Sequence, residues 1–116
     1  MIAIKRGTTP NIIIEIEDVN MDDITEVHFA FKAIDDETAP LLFPEKEYVK
    51  SKNPESFYKV NDEKFEVNIK LKEKETFKIP KGYFYVDVLP IAGEERLDTG
   101  KPLKMESFGT YFKEVE

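Results

Sequence analysis

Four groups of residues carry side chains of the kind that do chemistry. The first is His28, the only histidine in the chain. Acyl transfer needs a nucleophile held against a base that a third group orients. His28 lies between Val27 and Phe29 in a run of alternating polarity, on its polar side. No Gly-x-Ser-x-Gly elbow accompanies it, and Ser107 stands near Gly109 without that spacing. The expectation is an ordinary exposed strand histidine. The second group, Asp18, Asn20 and Asp22, places oxygen ligands at alternate positions, as the opening of a calcium loop does. The sixth position of such a loop calls for Gly and the twelfth for a bidentate Glu, yet here they are Asp23 and Phe29. A polar loop between strands is expected, not a metal site.

The third group is the acidic cluster Asp35, Asp36 and Glu37. Two separated carboxylates in a cleft serve glycosidases as acid and base, but such a cluster is also the ordinary composition of a solvated loop. The fourth is the pair Tyr83 and Tyr85, two residues apart and so on one face of any strand. Exposed rings on a sheet stack on sugars or anchor a protein partner. Tyrosine also favours strands for packing alone, and burial beneath residues 35–61 is the competing expectation. Tyr83 and Tyr85 are the candidate partner contacts. No catalytic residue, cofactor site or metal site is expected, and the five scattered glycines form no phosphate-cradling loop.

Composition limits the classes of function. A chain of 116 residues fits one domain with one core. A hydrophobic share of 41% with 12% aromatics argues for a packed globule despite 35% charged residues. The net charge of −7 repels phosphate backbones. Lys70, Lys72, Lys74 and Lys78 are interleaved with Glu73 and Glu75, so nucleic acid is not an expected partner. The lack of cysteine removes disulfides, thiolate metal sites and thiol nucleophiles. The start from Met1 to Arg6 lacks the apolar stretch of a signal peptide, and no apolar run reaches membrane-spanning length. Synthesis in the cytoplasm and no membrane partner are expected.

The elements that would position these residues are strands. Ile2 and Ile4 flank Ala3, and Gly7 to Pro10 make a turn. Ile12, Ile14 and Ile16 then alternate with Ile13, Glu15 and Glu17, and Val27, Phe29, Phe31 and Ala33 repeat the period of two. From 35 to 61 the pattern loosens, with Pro40, Pro44 and Pro54 allowing only short or edge strands, one of them at Phe57, Tyr58 and Val60. Phe65, Val67, Ile69 and Leu71 give the clearest half-buried strand. Lys72 to Phe77 suit one helical turn before Pro80. Tyr83 to Leu89 is a strand apolar on both faces apart from Asp87, turned back at Ala92-Gly93-Glu94. Leu97, Leu103 and Met105 mark a weaker return, and Phe108, Thr110 and Phe112 are expected to close the chain as a last strand. The expected fold is all-β: an immunoglobulin-like antiparallel β-sandwich of about seven short strands, one domain over 1–116 with a less regular insertion at about 35–61.

Three segments carry a resemblance. Ile4-Lys5-Arg6-Gly7-Thr8-Thr9-Pro10 with Ile12 and Ile14 resembles the opening of small uncharacterised proteins of the structural modules of tailed phages and prophages. Asp23-Ile24-Thr25-Glu26-Val27 with Phe29 and Phe31 resembles their next strand. The block from Val67 to Val88, with Leu71, Glu75, Thr76, Phe77, Gly82 and Val86, resembles their strand, Glu-Thr turn, glycine and strand. Such proteins are similar to the immunoglobulin-like N-terminal domain of phage baseplate upper proteins. The resemblance implies a non-enzymatic virion protein that works in tail or baseplate assembly by contact with other phage structural proteins and with itself. It carries over no catalytic residue. A carbohydrate-binding or adhesin-like module of the same fold is the alternative, and a small hydrolase using the acidic loops ranks behind both.

Overall fold

The computed structural model describes residues 2–113, so the domain expected over 1–116 is seen without Met1 and the last three residues. The chain runs β1 (Ala3–Lys5), β2 (Asn11–Glu17), β3 (Glu26–Lys32), β4 (Lys46–Val49), β5 (Phe57–Asn61), β6 (Lys64–Lys70), α1 (Glu73–Lys78), β7 (Gly82–Ala92), β8 (Glu95–Arg96) and β9 (Leu103–Phe108). Two sheets form a β-sandwich. The larger runs β1-β9-β7-β3-β4, with β8 as a short hairpin partner of β7, and the smaller runs β2-β6-β5. All pairings are antiparallel except β1 with β9, which is parallel. The order β9-β7-β3-β4 opposite β2-β6-β5 is compatible with an immunoglobulin-like sandwich.

The alternation seen in the sequence is what builds the core. Ile12, Ile14 and Ile16 of β2 and Phe65, Val67 and Ile69 of β6 point inward from the small sheet. They meet Val27, Phe29 and Phe31 of β3 and Phe84 and Val86 of β7 from the large one. Each fully buried Phe contributes about 2–3 kcal/mol by leaving water. Phe31 packs against Phe84 and Phe43 at ring distances of 6.1 and 5.0 Å. A second device closes one end. Arg6 Nη2 donates to the Phe77 carbonyl at 2.9 Å, and the Gly7 amide donates to Thr76 Oγ1 at 3.0 Å, fastening the first turn to α1. Gly7 has φ +76°, and a Cβ there would lie 2.7 Å from Phe77 Cζ. Only glycine fits that place without displacing the ring.

Residues 35–61 supply the short strand expected at Phe57, Tyr58 and Val60 as β5 of the small sheet, and add β4 to the large one, which the sequence did not mark. The expected final strand through Phe108, Thr110 and Phe112 is corrected: β9 ends at Phe108. Gly109 follows, and Tyr111 and Phe112 are exposed with no inner face to enter. The strand expected at Tyr83 to Leu89 runs on to Ala92, with Pro90 opposite Val27 and Ile91 buried.

Candidate functional site

The outward face of the large sheet carries most of the residues singled out above. On β7, Phe84 and Val86 point inward, which turns Tyr83, Tyr85 and Asp87 outward. Tyr83 is 49% exposed. Lys104 Nζ of the neighbouring β9 sits 4.1 Å from the ring centroid, a cation–π contact. Tyr85 is half-buried and forms one wall of an open groove of about 470 Å³, whose other walls include Ile34, Leu41 and Pro102. The two tyrosines therefore do not form a single bare platform.

Farther along the same face stands His28. It is outward-facing as expected, but its side chain is only 17% exposed and is not an idle surface group. Nε2 lies 2.8 Å from Glu26 Oε2, and Nδ1 lies 3.1 Å from Glu45 Oε1. The strand period explains Glu26, two residues away on β3. The register explains Glu47, which stands directly across from His28 on β4. Burial alone would lower the histidine pKa, but the Glu26 hydrogen bond and the charges of Glu47, Glu26 and Glu45 together outweigh it and hold it above the ordinary imidazole value. The imidazolium thus keeps its charge to higher pH than a free histidine does.

The other acidic groups are engaged locally. Asn20 Oδ1 accepts from the Asp22 amide at 2.9 Å and caps the 3-10 turn Met21–Asp23. Asp22 pairs with Lys59 at 2.7 Å, and that contact holds its carboxyl below the usual range. Asp18 has φ +62° and turns into a different cleft. The oxygens of this loop serve as cap and ion-pair partner. Asp36 accepts from the Thr38 amide and hydroxyl, both at 2.8 Å, which lowers its pKa. A carboxyl held that way is ionised at neutral pH and is poorly suited to donate a proton. Asp35, Asp36 and Glu37 line the groove beside Tyr85 but are exposed.

A further feature is a backbone edge. Pro10 accepts from the Leu71 amide at 3.1 Å, which sets the phase of the β2–β6 ladder. In antiparallel pairing the bonded residues alternate. Ile12, Ile14 and Ile16 thus bond to β6, and the amides and carbonyls of Ile13 and Glu15 face away from it. Among the described residues β2 has no strand on that side. Beside its end opens a cleft of about 570 Å³ lined by Glu15, Glu17, Asp18, Val88 and residues 98–101. Ile13 itself is 55% exposed on the outer face.

Sequence reasoning found the face of His28 but missed Glu45 and Glu47, because no pattern in 35–61 fixes the register of β4. It would have reached Glu26 from the period of two alone. The free edge of β2 is a property of pairing, which no residue type announces. No helix among the described residues is long and apolar enough to cross a membrane. Comparison of the chain with family models, with curated proteins and with solved structures finds no match.

Proposed function

We propose that this chain is a non-enzymatic structural protein of a phage or prophage that acts through protein–protein contacts, in tail or baseplate assembly, as part of the virion. The observation that carries the contact mechanism is the open edge of β2. In the immunoglobulin order a further strand lies beside the strand in the β2 position. Here β1 pairs with β9 in the opposite sheet and leaves that place open. A free row of amides and carbonyls is a template for a strand from another chain. A second copy of this chain is the occupant most simply tested, and other virion proteins are the wider set. The resemblance of the opening segment and of the Val67 to Val88 block to phage structural-module proteins supports the virion setting.

The rival reading, a glycan-binding module, draws on Tyr83 and Tyr85. It is less well supported, since Lys104 stands over the Tyr83 ring and Tyr85 is recessed in the groove wall. The test is co-purification of the tagged protein with the products of neighbouring genes, using the native chain and Ile13→Pro. Proline removes an outward amide without entering the β2–β6 ladder. Partners retained by the native chain and lost by Ile13→Pro support the reading. Partners retained equally by both contradict the edge as the contact, and glycan binding abolished by Tyr83→Ala favours the rival.

A further inference from the structure

We propose that Glu26, His28 and Glu47 form a divalent transition-metal site, of zinc type, on the outward face of β3 and β4. The inference is independent of the assembly reading. Each of the three residues offers one ligand atom, and those atoms lie within 4.8 Å of one another. Ligands around zinc stand about 3–3.5 Å apart when each bond is about 2.0–2.2 Å. Glu47 is exposed and makes no hydrogen bond or ion pair among the described residues, so its side chain is free to close that gap. Glu26 and His28 already touch.

Charge supplies the second argument. Three carboxylates, Glu26, Glu45 and Glu47, surround a single imidazole. A protonated imidazole brings one positive charge and leaves an excess of negative charge that a divalent cation neutralises. The fourth residue supplies the third argument. Glu45 lies on Nδ1, the ring nitrogen remote from Glu26. With Nδ1–H donating to Glu45, displacement of the Nε2 proton by the metal leaves that nitrogen as a ligand beside Glu26. Metal-bound histidines are held by a carboxylate on the far nitrogen in just this way. The imidazole in the set selects zinc and its first-row neighbours over magnesium and calcium, which prefer oxygen alone. Bound metal would join β3 to the edge strand β4 and leave a coordination position for water.

The test uses the whole chain, stripped with EDTA and titrated with zinc chloride near neutral pH by calorimetry, with a thermal melt at each zinc level. The expected result is saturable binding of one zinc per chain in the micromolar range and a rising melting temperature. His28→Ala and Glu47→Gln are each expected to weaken binding at least tenfold. Magnesium in large excess should compete with neither binding nor stabilisation. Glu47→Gln alters an exposed side chain, so it tests the site even where His28→Ala loosens β4. Glu55→Gln, an exposed acid outside the site, should bind zinc as the native chain does. The proposal is overturned by the absence of saturable zinc binding, by binding that survives both site variants, or by an equal loss in Glu55→Gln, which would mark a diffuse acidic surface.

Discussion

The two sheets end in edges of opposite character. At β4 nearly every side chain is tied down. Lys46 pairs with Glu75 of α1 at 3.0 Å, with both side chains largely buried. The Tyr48 hydroxyl accepts from the Lys70 amide of the other sheet at 2.9 Å while its ring meets Phe29 edge-on. His28 is held between Glu26 and Glu45. At β2 the inner face is just as well packed, but the outer edge bonds to nothing among the described residues. Natural sheets blunt their edges with charges, prolines or covering segments. Here the side chains of β4 are tied to the rest of the fold, and the outward backbone of β2 is left without a partner strand among the described residues. An edge left open in this way is a natural place for a partner strand.

That contrast is open to direct test. The largest effect is expected beneath the protected corner: Phe29→Ala should cost about 3–5 kcal/mol in urea unfolding, because it empties a site with no exposure. A loss below about 1 kcal/mol would mean that this corner is loosely packed. Gly7→Ala comes next, at about 2–3 kcal/mol, since it adds a Cβ against Phe77 at a positive φ. Lys46→Met should cost about 2 kcal/mol by leaving the largely buried Glu75 carboxylate without its ammonium partner. Unchanged stability there would show that β4 is not anchored to α1.

His28 gives a smaller, pH-dependent effect, measured in chelator so that no metal competes with the proton. Its folded pKa is raised, so its contribution is full below the unfolded value of about 6.5 and fades as pH rises through the folded value. The urea midpoint of the native chain should fall relative to His28→Gln over that window. A difference that is flat with pH would contradict the clamp. Smallest of all, Ile13→Pro should change stability by less than about 1 kcal/mol, because an outward amide on an edge strand has no ladder bond to lose.

The strands with complete inner rows, β2, β3, β6 and β7, were legible because each alternates large apolar residues with polar ones over its length. The one-turn helix was legible in Lys72 to Phe77 and the Pro80 that stops it. What failed did so for physical reasons. Phe108, Thr110 and Phe112 have the spacing of a strand, but spacing does not show whether a second sheet lies beneath them, and none does. Phe112 instead lies under Lys5 Nζ at 5.7 Å. β4 is a short edge strand whose residues serve side-chain ties as much as packing, so it prints no period, whereas β5 falls where Phe57, Tyr58 and Val60 suggested a short strand. The same cause hid Glu45 and Glu47, and with them the surroundings of His28. Tyr83 and Tyr85 were legible as sharing one face, while the cation over one ring and the groove beside the other depend on cross-strand register.

The most direct test of assembly through the β2 edge is size-exclusion chromatography with light scattering, run on the native chain and on Ile13→Pro over a wide concentration range. The account predicts a mass that grows with concentration in the native chain and stays at that of one chain in the variant. A native chain that remains a strict monomer at every concentration would contradict self-assembly through that edge.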